Sequence, residues 1–263
     1  MEPGQPAHHS HNGTRIRTSA PSKPILPYGG YRMNDTLQTA YPGSAAVGGE
    51  RNRVLRNTYW LLALSLVPTV LGAWVGVATG FSFFAGSPFI GFLLFMGIAF
   101  GFFFAIEKFK NSGIGVALLL GFTFFMGLML SRLIGGVLGN YSNGATLIGM
   151  AFGGTALVFF GMATLATTIK RDLSGLGKWL MVGVIGLIVA SVANIWLQMP
   201  ALFLTVSVLA IVIFSAFMLY DIKRVIDGGE TNYVTATLAI YLDVYNVFQS
   251  LLSLLGIFGG ERE

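Results

Sequence analysis

The chain has 263 residues, of which 54% are hydrophobic and only 10% charged, with a net charge of +5. Soluble domains carry about 25% charged residues, so this composition excludes a soluble globular protein. Zero cysteines exclude disulfides, thiolate metal sites and cysteine nucleophiles. The Lys and Arg residues are scattered between apolar blocks, which argues against a nucleic-acid surface and for a charge bias across a bilayer.

Residues 1–52 read as a disordered, polar tail, too poor in apolar side chains to offset the entropy of ordering. Met33 opens "MNDTLQTAYPG" and would serve as a start site, leaving 1–32 as an upstream extension. His8, His9 and His11 all fall in that stretch, where a metal role for "HHSH" is weak in an unpacked tail. No signal-peptide core is visible, so the first span is expected to act as an uncleaved anchor.

Residues 53–263 form the second part, with seven apolar blocks at about 57–78, 89–106, 113–138, 145–166, 179–197, 201–226 and 233–258. Each is long enough to cross roughly 30 Å of hydrocarbon at about 1.5 Å per residue. No alternating strand pattern appears, and an open sheet cannot satisfy its backbone in lipid. The expected fold is all-α, a polytopic seven-transmembrane-helix bundle in the lipid bilayer. Trp179 and Trp196 bracket the fifth span, about 26 Å apart along a helix, as interfacial aromatics do. Gly72, Gly76 and Gly80, Gly97 and Gly101, and Gly149 and Gly153 have the spacing that permits close helix contact, read here as a tightly packed monomer core over a dimer seam.

Arg51, Arg53 and Arg56 precede the first span; Lys108, Lys110, Lys170, Arg171, Lys178, Lys223 and Arg224 follow on the same side. The opposite loops, near 79–88, 139–144 and 198–200, contain no Lys or Arg. This bias places the N terminus in the cytoplasm. The "GGERE" end falls on the other side, provided the last span crosses fully.

Two acidic residues interrupt the apolar pattern. Asp221 closes "IVIFSAFMLYDIKRV" and Asp243 sits inside "ATLAIYLDVYNVFQSLLSLLGIF". Ionisable residues in spanning segments are rare and mark functional sites. The last two spans make a hairpin around "DGGETN", and folding about its midpoint sets Asp221 opposite roughly residue 238. Asp243 then lies about 7 Å deeper, a gap that tilt or a water would have to close. A pair of carboxyls in low dielectric should titrate as one coupled unit near neutral pH. A proton shared between them would bridge the helices, and its loss would favour separation or entry of a cation. Ca²⁺ suits oxygen ligands but takes six to eight of them, more than two Asp supply. Asn246, Ser250 and Ser253 fall on the Asp243 face as a polar stripe, a candidate pathway lining.

The plainer alternatives are a solvated Asp221 beside Lys223 and Arg224, and a purely structural, hydrogen-bonded Asp243. Arg132 can snorkel outward or serve as a counter-charge. Glu107 reads as a loop residue paired with Lys108 or Lys110. No tightly bound cofactor is expected, only Ca²⁺ as a transported or transiently bound ion. Enzyme readings fail: no His lies beyond the tail and no HExxH is present. An intramembrane aspartyl protease would need Gly-x-Gly-Asp where Ile240, Tyr241, Leu242 and Asp243 stand, and its Pro-Ala-Leu after both aspartates, whereas Pro200–Leu202 precedes them.

The segments "MLYDIKRVIDGG" and "AIYLDVYNVFQSLLSLLGIFGG", supported by "IKRDLSGLGKWL", resemble the Bax inhibitor-1 family, in its bacterial YccA-type branch. The resemblance covers about residues 52–263. It implies a seven-helix bundle with the last helix central and a pH-sensitive di-aspartyl site at Asp221 and Asp243, associated with a calcium leak. The arginine run that some bacterial relatives carry after the second span is replaced here by Glu107, Lys108, Phe109 and Lys110. Two functions are therefore expected: a proton-gated cation leak with calcium and protons as its partners, or a membrane regulator that binds an FtsH-type ATP-dependent protease. The branch fits a bacterial inner membrane.

Overall fold

A computed structural model of the chain describes residues 43–81 and 87–261. The expectations for the tail before residue 43, including Met33 and the histidine cluster, lie outside the described residues. Seven α-helices follow: α1 (Gly43–Thr79), α2 (Pro88–Phe109), α3 (Gly113–Asn140), α4 (Gly144–Thr168), α5 (Leu176–Leu197), α6 (Pro200–Ile226) and α7 (Tyr233–Gly259). All seven are long and apolar enough to cross a membrane, and the described residues contain no strand. The first helix starts at Gly43, ahead of the boundary at 52. Extending a helix already nucleated by an apolar run costs little, so the polar residues before it are carried along.

Local chemistry sets the helix ends. Proline opens α2 and α6 at their first turns, where its missing N–H has no helical partner to lose. The α6–α7 turn closes through Gly228, whose φ of +81° is a left-handed conformation that glycine adopts without a Cβ penalty. Asn232 caps α7, its side-chain oxygen accepting from the N–H groups of Val234 and Thr235.

α7 packs against α6, α4, α1, α3 and α2. Val234, Ile240, Tyr241, Val247 and Leu252 of α7 are fully buried. Both its ends are tied to loops beside α3. At the start, Asn232 Nδ2 donates to Asn111 Oδ1 at 2.8 Å in the α2–α3 loop. At the finish, Asn143 Nδ2 in the α3–α4 loop donates to Gly259 O at 2.7 Å, and Ser142 N donates to Glu261 O at 3.0 Å. α7 therefore runs the whole length of the bundle beside α3.

The glycine spacings divide. α1 and α3 meet backbone to backbone: a Cβ at Gly72 would meet Phe124 O, one at Gly127 Thr69 O, and one at Gly76 the Ser131 side chain. Gly80 instead lies past the helix, with φ +63° and open space around it. Gly97, Gly101, Gly149 and Gly153 also face open space, so close contact at those four positions is not what their spacing produces. Spacing alone does not specify which face of a helix turns inward.

Candidate functional site: a carboxyl pair between α6 and α7

The orientation of α7 is fixed by a row of hydroxyls one turn apart. Thr237 Oγ1 donates to Tyr233 O of its own helix at 2.6 Å and lies 3.3 Å from Thr58 O of α1. The Tyr241 hydroxyl shares a 2.9 Å hydrogen bond with Thr69 Oγ1 of α1. Tyr245 donates to Met126 O of α3 at 3.3 Å. Positions 237, 241 and 245 follow the i, i+4 rule and lie on one face. Asp243, two residues from each tyrosine, is turned about 200° away from them, and so toward α6.

The structure brings Asp221 and Asp243 together, with their carboxyl groups within hydrogen-bonding reach of each other. Asp243 is 4% exposed and Asp221 half-buried. The axial gap between them closes for a reason internal to helices. Cβ atoms lean toward their own helix N terminus, so Asp221 leans away from the α6–α7 loop while Asp243 leans back toward it. As an ionised carboxylate, Asp243 would leave its Oδ2 buried without a hydrogen-bond partner, an expensive arrangement in low dielectric. A proton held between the two groups would supply that partner.

The neighbouring cations are engaged elsewhere. Lys223, itself buried, pairs with Asp227 at 2.9 Å, and Arg224 Nη2 lies 3.5 Å from Glu230 Oε2. Neither cation makes an ion pair with Asp221. The charges of Arg224 and Glu230 nevertheless reach Asp221.

The other candidates are dispersed. Asn246 is half-buried and donates to Leu242 O of its own helix at 2.7 Å, and Ser253 donates to Gln249 O at 2.8 Å. Ser250 is half-buried. None of the three hydrogen-bonds the carboxyl pair. Arg132 is exposed and makes no ion pair among the described residues, which fits snorkelling better than a counter-charge. Glu107 pairs with Lys110, while Lys108 sits 5.6 Å from the Phe109 ring centre. No group of three or more His, Asp or Glu side chains among the described residues could hold a metal ion. Two carboxyls are too few for a resident Ca²⁺.

Sequence reasoning missed Glu230 and the hydroxyl row. The row was readable as Thr237, Tyr241 and Tyr245 at helical spacing. Glu230 carried no such signal, because only the folded turn sets it over α6.

Fold and site together define a polytopic helical membrane protein with two acidic side chains, one buried and one half-buried, meeting between its last two helices. Residues 51–260 match the family model described as "Inhibitor of apoptosis-promoting Bax1". The chain is 39% identical over 207 residues to the Escherichia coli K12 protein named "Modulator of FtsH protease YccA", covering 78% of this chain and 90% of that protein. The corresponding protein of Escherichia coli O6:H1, at the same identity and coverage, is named "Inner membrane protein YccA". A Neisseria meningitidis serogroup A protein is 39% identical over 213 residues, covering 80% of this chain and 93% of its own. The chain belongs to the Bax inhibitor-1 family.

Proposed function

We propose that this protein is a cation leak of a bacterial inner membrane, with Ca²⁺ and protons as its traffic and the Asp221–Asp243 pair as its gate. The contact between the two carboxyls, with one oxygen of Asp243 otherwise unpartnered, is the observation that carries this reading. Two carboxylates in contact cannot both be ionised in low dielectric without strong repulsion. With one proton shared, the pair staples α6 to α7. With the proton gone, repulsion pushes the helices apart and a passing cation can take the proton's place. The cation is a transient substrate, because the site lacks the oxygens of a resident Ca²⁺ centre. Asn246, Ser250 and Ser253, on the same helix, are the groups along which it would continue. The lysine and arginine distribution sets the N terminus in the cytoplasm.

The test is Ca²⁺ entry into dye-loaded proteoliposomes at pH values on either side of neutrality. Wild-type flux should depend on pH and Asp243→Asn flux should not. Equal, pH-independent flux from both would refute the carboxyl pair as the gate.

A second reading rests on the name of the 39%-identical Escherichia coli relative, a modulator of FtsH protease. In that reading this chain binds an FtsH-type membrane protease, with the tail before α1 as the contact. Deletion of residues 1–42, which stops ahead of α1, should weaken co-purification with such a protease and spare the flux. Unchanged co-purification would count against the tail as the contact.

A further inference from the structure

The α6–α7 turn holds a second pair of charges that the leak reading does not use. Arg224 lies three residues beyond Asp221 on α6, the same face one turn nearer the loop, about 4.5 Å along the axis. Its partner Glu230 is held from several directions. Gly229 N and Glu230 N both donate to Arg224 O, at 2.8 and 3.2 Å. Glu230 Oε1 accepts from Asn232 N at 3.0 Å, and Asn232 is anchored in turn to the α2–α3 loop through Asn111. The Glu230 side chain is 19% exposed, whereas that of Arg224 is 46% exposed and its ion pair spans 3.5 Å. The carboxylate is thus fixed and the guanidinium is the movable member.

Other charged residues at this end make contacts of their own or face outward. Lys223 pairs with Asp227, Arg51 donates to Asp227 O, and Lys178 of α5 is exposed. α4, which also packs on α6, contains no ionisable side chain.

We propose that Arg224 and Glu230 form a charge gate at the mouth of the carboxyl site, setting how readily a cation reaches Asp221 from the end of the bundle that carries the α6–α7 loop. The proposal rests on the leak reading and assigns its specificity-determining residues. Paired, the two charges cancel at the mouth. Without Glu230, an uncompensated guanidinium stands in the path and repels cations. Without Arg224, Glu230 attracts them. Fixed charges at a narrow entrance change local ion concentration by about tenfold or more, and salt screens the effect.

The experiment is Ca²⁺ flux into proteoliposomes at one fixed pH, in low and in high salt, with intact folding of each full-length variant checked by its elution in detergent. Glu230→Gln should lower flux about tenfold and Arg224→Gln should raise it by a similar factor. The double variant should return close to wild type, Arg224→Lys should behave as wild type, and all differences should shrink in high salt. If both single variants shift flux in the same direction, or the differences survive high salt, the residues act by holding the turn together and the gate is overturned. If flux is sensitive to Asp243→Asn but indifferent to both single variants, the gate fails and the leak stands. If wild-type and Asp243→Asn flux are equal at pH values on either side of neutrality, the carboxyl pair is not the site of passage and the charge gate falls with it.

Discussion

Replacing Gly127 by alanine tests the packing that positions α7. A methyl group at this position would lie 2.9 Å from the Thr69 carbonyl carbon and 3.0 Å from Ala73 N, and closer still to Thr69 O. Carbon contacts are comfortable at about 3.5–4.0 Å, so α1 and α3 must part by roughly 1 Å. Neither obstacle can rotate away, because both are backbone. Overpacking of this kind costs about 1–3 kcal/mol. The shift also carries Thr69, and with it the 2.9 Å bond to Tyr241, a further loss of about 1 kcal/mol. The sum, roughly 2–4 kcal/mol, corresponds to a fall in melting temperature on the order of 5–15 °C for a chain of this size. The assay is thermal unfolding of the purified protein in detergent. Gly149→Ala and Gly153→Ala, which face open space, serve as controls and should not lower the melting temperature. A Gly127→Ala melting temperature equal to wild type would refute the close α1–α3 contact.

Two smaller predictions follow from the loops. Asn232→Ala removes the cap of α7 and its tie to Asn111, and should cost about 1–2 kcal/mol in thermal or chemical unfolding. In the α4–α5 loop, the backbone N–H and hydroxyl of Ser174 hold the Asp172 carboxyl below its ordinary range. The sign follows: this contribution is present above the ordinary carboxylate pKa and is lost as pH falls through the lowered one. Ser174→Ala deletes the 2.9 Å hydroxyl bond and should move the Asp172 titration, followed by carboxyl ¹³C NMR, toward higher pH. No movement would mean the hydroxyl contributes nothing.

Much of the architecture was readable because a bilayer leaves the backbone few solutions. The expected third and seventh spans, 113–138 and 233–258, differ from α3 and α7 by two residues or fewer at either end. The start of α1 was not readable, since Gly48 and Gly49 in its polar first turns read as a break ahead of the apolar run. Asp221 and Asp243 stood out by the cost of burying them, but hairpin counting left them apart. Only the opposite lean of side chains on antiparallel helices brings the carboxyls into contact. Gly97 and Gly101 of α2 and Gly149 and Gly153 of α4 have the same spacing as Gly72 and Gly76 yet face open space, because spacing carries no information about which face turns inward. Lys223 and Arg224 looked like partners for Asp221; the turn instead supplies Asp227 and Glu230, whose positions depend on its path.

In the proposed leak, Asp221 and Asp243 act as one unit through a shared proton. The most direct measurement is the pH dependence of Ca²⁺ flux in proteoliposomes for Asp221→Asn, Asp243→Asn and the double variant. A shared proton predicts that each single substitution abolishes the pH dependence and that the second adds nothing to the first, the non-additivity of coupled residues. Independent, additive effects, or pH dependence that persists in the double variant, would contradict it.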